Sequence, residues 1–398
     1  MAATVTTTES WGARLGSSVR GILVGLALFV AGFPVLFWNE GNSVRTAKAI
    51  DEGEGACISL ESNETVDHDM DGRLVHMTGK ADTADILADD EFGISVTAIC
   101  LKRKVEMYQW IEDSHTTEKK NLGGSVTKTT TYTYSKDWSE NAIDSSSFHE
   151  AGHDNPGAIE FQAGETYAQN VSFGAFRLNK KQIESIGGAQ AYKFPAGWTS
   201  RVDRVQLQGQ TVFVPNAETR ANKLNNRNVA SQPRIGDMRV TFSVVLPQEV
   251  SIIAKQHGDT FVPYTAKNGK KLSYVRSGVA DAAEMFATAR SNNSLVTWLV
   301  RIAGVLLMFF GISAVLKPLG VLADVLPILG DIVGIGTGIV AGLVALICAL
   351  VTIAAAWLFY RPVLGIVLLA AAAFLVWKLV QKKKAAKAAA QNVSAQAS

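Results

Sequence analysis

The residues with the clearest chemical potential in this chain are two histidines four positions apart, with a glutamate directly after the first. His149, Glu150 and His153 match a short string found in zinc proteases, where both histidines share one helix face and bind one metal ion. The glutamate would then activate a zinc-bound water molecule. Gly152 weakens a helix at this point, and the turn-forming residues 154–157 end it. We therefore predict no metal ligand, no cofactor and no catalytic residue, and keep a zinc metalloprotease as the alternative function.

The hydrophobic pattern decides where these residues sit. One apolar segment near the start is separated from three closely spaced ones by a long, mostly polar region. The first segment has the length that an α-helix needs to cross ~30 Å of hydrocarbon, and it is too long for a secretory signal. We predict a cytoplasmic amino-terminal tail at 1–20, transmembrane helices at 21–38, 295–316, 332–360 and 363–380, a β-rich domain at 39–294, a short cytoplasmic or interfacial loop at 317–331, and a basic cytoplasmic tail at 381–398.

Lysine and arginine residues near the ends of the spans predict the orientation, because cytoplasmic segments carry an excess of both. With both termini in the cytoplasm, the inner set is Arg14, Arg20, Lys317, Lys378, Lys382, Lys383, Lys384 and Lys387. The smaller outer set is Arg45, Lys48, Arg290, Arg301 and Arg361. Arg301 is close enough to a span end for its side chain to reach the interface. The large domain should then face the periplasm or the lumen.

The polar region alternates apolar and polar residues or is rich in β-branched and aromatic types, which predicts antiparallel strands. The predicted strands are 74–78, 94–110, 126–134, 167–176, 205–214, 239–246 and 250–255, with a hairpin connection at 112–124. Helices are predicted at 43–51, 179–186 and 281–290. The predicted fold class is α+β, with four transmembrane helices plus one large β-rich extramembrane domain.

Four glycines spaced by four residues mark the third span, at Gly330, Gly334, Gly338 and Gly342. Such a stripe lets another helix approach closely, either within this protein's own bundle or in a homo-oligomer. Asp324 and Asp331 precede or begin this span. Carboxylates at mid-membrane would indicate an ion path, but these two flank prolines in a predicted interfacial loop. A channel or transporter component is kept as a second alternative.

Several further residue sets favour structural roles. The aromatic series Tyr108, Trp110, Tyr132, Tyr134 and Trp138 favours packing across strands over a lipid or sugar face. Cys57 and Cys100 either pair in an oxidising compartment or remain buried thiols. The net charge of +2 is spread along the chain, so we predict no nucleic-acid partner.

Separated motifs give the chain a resemblance to a known family. They are LFWNEG at 36–41, KDWSE at 136–140, His153 with Asn155 and Pro156, GDMRV at 236–240, and AWLFYRP at 356–362. With these motifs and its topology, the chain resembles the transmembrane protein 43 (LUMA) family. The resemblance implies an integral membrane protein with four spans, a large luminal domain and no established catalytic residues.

The expected function follows from this resemblance and the topology. Animal members of the family resemble proteins of the endoplasmic reticulum and inner nuclear membrane that associate with emerin and lamins. The alanine-rich tail and short amino terminus here are typical of a bacterial protein. We therefore expect a non-enzymatic multi-pass scaffold in a bacterial inner membrane with a periplasmic domain. In a eukaryote the expected site is the endoplasmic reticulum or inner nuclear membrane, and emerin-like or lamin-like partners apply only there.

Overall fold

The computed structural model describes residues 3–221, 228–363 and 366, and this part of the chain mixes long helices with β-sheet. The α-helices are α1 (Trp11–Ala56), α2 (Lys180–Ser185), α3 (Ala217–Ala221), α4 (Ala282–Ala323) and α5 (Pro327–Tyr360). The strands are β1 (Ala3–Glu9), β2 (Ile58–Ser59), β3 (Leu74–Asp82), β4 (Ile86–Asp89), β5 (Ile94–Thr97), β6 (Cys100–Lys120), β7 (Val126–Ser139), β8 (Gly164–Tyr167), β9 (Ser172–Phe173), β10 (Phe176–Arg177), β11 (Gln190–Ala191), β12 (Gln206–Gln208), β13 (Thr211–Val214), β14 (Met238–Val245), β15 (Gln248–His257), β16 (Thr260–Val262), β17 (Tyr264–Thr265), β18 (Lys271–Leu272) and β19 (Tyr274–Ser277). The α+β class is therefore confirmed.

Three described helices are long and apolar enough to cross a membrane: α1, α4 and α5. They contain the first three predicted spans. The predicted fourth span at 363–380 lies outside the described residues except for positions 363 and 366, and the predicted basic tail at 381–398 lies wholly outside them. The described part of the chain thus contains three candidate spans, which confirms the first three predicted ones. The fourth stays a prediction.

The described helices extend well beyond the predicted spans. The predicted tail at 1–20 contains β1 and the first turns of α1, and the predicted loop at 317–331 is mostly helical. Helix α4 continues through Pro318 to Ala323, and α5 begins at Pro327. A proline in the first turn of a helix is well tolerated because its missing N–H has no helical partner there. Pro318 and Pro327 led to the prediction of a loop at 317–331. The turn that joins α4 and α5 is in fact only three residues long, because both prolines lie within helices.

The chain divides into two compact units. The domain unit consists of Met1–Thr8, Ala49–Lys119 and Thr127–Ala289. The helical unit consists of Glu9–Lys48, Lys120–Val126 and Arg290–Ser398. Helices α1 and α4 each contribute residues to both units, and so does the hairpin formed by β6 and β7.

The domain unit contains two large sheets. An eight-stranded sheet has the order β1-β7-β6-β14-β13-β12, with β11 also on β14 and β8 also on β6. A seven-stranded sheet is built around the antiparallel pair β3 and β15, which runs from Gln248 opposite Ala81 to Lys255 opposite Leu74. In β14, alternate residues from Met238 to Val244 enter one hydrophobic core. This period of two is why the sequence predicts that strand well.

The strand predictions at 74–78, 126–134, 239–246 and 250–255 are confirmed by β3, β7, β14 and β15. Three longer ones are wrong because the chain turns within them. Residues 94–110 form β5 and β6 in different sheets, and residues 205–214 form the β12–β13 hairpin around Gly209, whose φ is 63°. Residues 167–176 are split among β8, β9 and β10, with Gly174 at φ 59° in the turn.

The predicted hairpin connection at 112–124 is also wrong, because β6 and β7 extend through most of it. The turn is confined to residues 121–125. The hydroxyl groups of Thr116 and Thr130 form a hydrogen bond across the two strands, with 2.8 Å between their oxygens. Threonine suits an extended strand, and such cross-strand pairs stabilise a ladder even where it is polar on both faces.

The predicted helices of the polar region are confirmed. Residues 43–51 belong to α1, and residues 281–290 open α4. Asn179 caps α2 by accepting a hydrogen bond from Gln182 N–H at 3.1 Å, while the Gln182 side-chain oxygen accepts one from Asn179 N–H at 3.1 Å. This reciprocal capping box explains why six residues form a defined helix.

Helices α1 and α4 of the helical unit pack against each other in opposite directions through glycines. A Cβ added to Gly25 would lie 2.6 Å from Gly311 O, and one added to Gly304 would lie 2.4 Å from Leu36. A Cβ added to Gly32 would lie 2.6 Å from Met308 Cγ. Both helices therefore approach as closely as only glycine allows.

Candidate functional site

Two of the motifs that carry the family resemblance meet in the helical unit, and their meeting point is a buried carboxylate. Glu40 of LFWNEG is 2% exposed and accepts hydrogen bonds from Arg301 Nε at 2.6 Å and from Arg301 Nη2 at 2.9 Å. Trp357 of AWLFYRP donates its indole N–H to the same carboxylate at 2.7 Å. One carboxylate thus joins α1, α4 and α5.

The side chain of Arg301 does not extend to the interface as the sequence suggested. Its guanidinium lies 4.7 Å from the Trp298 ring centre and 5.8 Å from that of Trp357, and only 16% of its side chain is exposed. A bidentate carboxylate and two aromatic faces satisfy the charge inside the bundle. The Glu40 carboxylate and the Arg301 guanidinium together carry no net charge inside the bundle.

Polar groups on the next turn continue this contact between α1 and α4. Asn39 donates to Thr297 O at 3.1 Å, and Thr297 donates its hydroxyl to Ser43 Oγ at 2.8 Å. Asn293 donates to Ser43 O at 3.1 Å. These hydrogen bonds fix the register of α1 against α4. The buried group described above, formed by Glu40, Arg301 and Trp357, is called the helix lock below.

The turn between α4 and α5 holds a second group of charges. Asp324 has 3% of its side chain exposed; Arg14 donates to it, and Lys120 Nζ lies 2.7 Å from its Oδ1. Lys120 also lies 2.9 Å from Asp331, which is largely exposed. Burial acts to raise the pKa of Asp324, but the hydrogen bonds from Lys120 and Arg14 outweigh it and hold that pKa below its usual value. Asp324 therefore acts as a paired structural anion.

Main-chain contacts reinforce this end of the helical unit. Trp11 donates its indole N–H to Val321 O at 2.8 Å, and Arg14 donates to Gly124 O at 2.6 Å. Gly123 N–H donates to Val325 O at 3.1 Å. The tip of the β6–β7 hairpin is thus held against the α4–α5 turn.

These contacts disagree with the predicted membrane sides of two segments. The loop at 317–331 and the tail at 1–20 were predicted on the face opposite the domain at 39–294. An ion pair of 2.7 Å requires Lys120 and Asp324 to share a face, and β1 is hydrogen-bonded to β7 in the eight-stranded sheet. The three assignments are therefore incompatible with one another as predicted.

Cross-linking tests this correction. In a variant whose native cysteines are replaced by serine, we expect a short bis-maleimide to cross-link Lys120→Cys to Asp331→Cys, because the native Lys120 Nζ and Asp331 carboxylate lie 2.9 Å apart. Lys119→Cys with Asp331→Cys is the matched control, since successive strand residues point to opposite faces. Equal yields from the two pairs, or no cross-link in either, would restore the predicted sides.

The histidine string belongs to the domain unit and does not form the helix that the zinc hypothesis requires. Gly152 has φ 89°, and the string lies in turns. The His149 ring stacks on the Tyr132 ring with 4.3 Å between the ring centres. The His153 ring stacks on the Tyr134 ring with 3.8 Å between the ring centres. No group of three or more candidate metal ligands occurs among the described residues. Both histidines act here as aromatic packing partners.

The aromatic series on β6 and β7 packs in the same region. Tyr108 contacts Trp138 at 5.2 Å, and Lys136 Nζ lies 4.2 Å from the Trp110 ring centre. Arg239 lies over Trp138 and forms a bidentate pair with Glu106 at 2.6 and 2.8 Å. These hydrogen bonds lower the pKa of Glu106. The series serves cross-strand packing, which was the favoured interpretation.

Cys57 and Cys100 are free thiols and pack in different core clusters of the domain unit. Burial raises the pKa of Cys57 to about 11, and burial also raises that of Cys100. Both groups are therefore protonated and poorly nucleophilic at neutral pH. Of the two interpretations left open by the sequence, the structure contains unpaired thiols, with Cys100 buried and Cys57 half-buried.

The predicted helix-packing glycines are placed as follows. Gly330 lies against Asp324, where an added Cβ would be 1.8 Å from Oδ1, and Gly342 lies 3.9 Å from Phe309 by the same measure. Gly334 and Gly338 have no described atom within 4 Å of an added Cβ. Sequence reasoning missed the glycines that pack α1 against α4, although Gly25 and Gly32, like Gly304 and Gly311, share a heptad spacing that could have revealed them.

Comparisons with known proteins agree with the sequence motifs. The family model for transmembrane protein 43 matches residues 107–362. The chain is 33% identical over 360 residues to the mouse protein named transmembrane protein 43, covering 88% of this chain and 86% of the relative. It is 32% identical to the human protein over the same length, with the same coverage, and 31% identical over 366 residues to the fruit-fly homolog, covering 89% of this chain and 93% of the relative. No solved structure matches the chain.

Proposed function

Because this chain belongs to the transmembrane protein 43 family, we propose that it is a non-enzymatic scaffold that organises a membrane through its large domain and through self-association. The chain is a membrane protein with at least three candidate spans. The scaffold role goes beyond what the family name states. It is supported by the helix ends that are buried in the domain's core and by one open helix surface.

Helices α1 and α4 are suited to hold the domain at a membrane. Ala49 and Ile50 at the end of α1 are buried in the same core as Met285 and Phe286 at the start of α4. Gly53 allows this packing, since an added Cβ would lie 2.5 Å from Leu272. The end of α1 and the start of α4 therefore both belong to the domain's core.

The observation that carries the self-association proposal is the open face of α5 at Gly334 and Gly338. A Cβ added to either glycine would have no described atom within 4 Å outside its own helix backbone. Four-residue spacing keeps them on one face, and apolar neighbours such as Ile335 are exposed. A second copy of the chain fits this surface because small residues let two helix backbones approach in lipid.

We expect the double variant Gly334→Leu, Gly338→Leu to lose assembly size in detergent. A leucine on this face prevents the close approach on which helix association in lipid depends. Gel filtration with light scattering measures the change. Gly336→Leu is the matched control. A Cβ added to Gly336 would also have no described atom within 4 Å, but Gly336 lies on the opposite side of α5.

The outcome that would contradict self-association is a wild-type protein that is already monomeric, or an assembly that the double variant leaves unchanged. A double variant that stays monomeric only because it unfolds is recognised by its lower thermal midpoint. A folded wild-type protein that is monomeric would show that no second copy covers this face.

We propose the following partners and location for the scaffold. The lipid bilayer and a second copy of the chain are its first partners, with protein partners bound by the domain and no role for nucleic acid. In a bacterium the location is the inner membrane with the domain in the periplasm. In a eukaryote it is the endoplasmic reticulum or inner nuclear membrane, where emerin-like or lamin-like partners exist.

A further inference from the structure

A cavity of about 260 Å³ lies in the helical unit beside the turn between α4 and α5. Three cationic side chains line it, from Arg14, Lys120 and Lys317, against the single carboxylate of Asp324. Glycines of both helices form part of its wall, so the lining backbone is accessible. The cavity therefore combines open space with an excess of positive charge.

The charges in the lining are not equally available to a ligand. Arg14 and Lys120 are paired with Asp324, which is buried between them. Lys317 is exposed, and no described residue accepts a hydrogen bond or ion pair from it. A net positive charge with one unpaired ammonium group at the mouth favours an anionic ligand.

A buried hydroxyl points to the same kind of ligand. Ser313 Oγ is buried and has no hydrogen-bond partner in the described part of the chain. Ser313 lies four residues before Lys317 on α4, so the two side chains share a face of the helix. A buried donor without a partner costs free energy, and an oxygen of an anionic group would satisfy it.

The depth of the site identifies the source of that anion. The predicted second span at 295–316 ends directly before Lys317, which places the ammonium group at the level of lipid headgroups. From these observations we propose that the cavity binds the phosphate of an anionic phospholipid, with Lys317 as its ion-pair partner and Ser313 as its hydrogen-bond donor. The excess charge comes from Lys317, because Arg14 and Lys120 are neutralised by Asp324 and Asp331.

Native mass spectrometry of the full chain tests this proposal, with phosphatidylglycerol as the probe and phosphatidylcholine as the uncharged reference. We expect Lys317→Gln to weaken phosphatidylglycerol binding by about fivefold, the loss of one interfacial cation. Ser313→Ala should weaken it by about threefold, through one hydrogen bond. Lys48→Gln is the matched control, since Lys48 is an exposed lysine near the other end of α1.

Three results would overturn the proposal. The first is equal binding of the two lipids by the wild-type chain. The second is a Lys317→Gln variant that binds phosphatidylglycerol like the Lys48→Gln control. The third is complete displacement by inorganic phosphate, which would assign the site to the free ion. Thermal midpoints in lipid-free detergent show whether each variant is folded, and Lys317→Arg, which keeps the charge, should restore binding.

Discussion

Replacing Glu40 by alanine is expected to lower the free energy of unfolding by about 3–5 kcal/mol, since it leaves the charge of Arg301 buried without its partner. Arg301 is mostly enclosed by Trp298, Trp357 and the Glu40 carboxylate. The indole N–H of Trp357 would lose its acceptor at the same time. The measurement is the unfolding transition of the purified chain in detergent, followed by circular dichroism.

Controls separate the buried pair from a general loss of charge. Asp259→Ala breaks the pair with Arg177, in which both side chains are largely exposed, and should cost at most about 1 kcal/mol. Glu40→Leu combined with Arg301→Met removes both charges and should recover much of the loss, because an apolar pair no longer leaves a buried ion. If Glu40→Ala costs no more than Asp259→Ala, the helix lock does not stabilise the bundle.

The features that the sequence predicted well are those set by local pattern. The apolar segments at 21–38, 295–316 and 332–360 predicted α1, α4 and α5 because length and hydrophobicity are local properties. The alternation in β14 and the capping residues of α2 are local in the same sense. Their positions follow from residues within one element.

The features that the sequence did not predict depend on residues far apart in the chain. Glu40 and Arg301 are 261 positions apart, and neither reveals its partner through spacing. The same holds for Asp324, which the sequence placed in a loop away from Lys120. The histidine string shows the converse error, since a match at the right spacing means little when Gly152 keeps the segment from being a helix.

A second large effect is expected where α1 and α4 meet at Gly311. An added Cβ would lie 2.6 Å from Phe29 N and 2.7 Å from Gly25 O, both of them backbone atoms that no side-chain rotation can move. Gly311→Ala should therefore push the helices apart and lower the free energy of unfolding by about 1–3 kcal/mol. Gly311→Leu should prevent a stable bundle, and the same detergent unfolding assay measures both.

Gly336→Ala is the matched control for this prediction, because it adds the same methyl group to a helix of the same unit. Nothing described lies within 4 Å of that methyl group, and alanine favours a helix over glycine by about 1 kcal/mol. The control should be as stable as the wild type or more so. Gly311→Ala gains the same helix propensity, so the difference in stability between the two alanine variants measures the steric clash. If the two alanine variants prove equally stable, α1 and α4 do not pack at the separation that their glycines require.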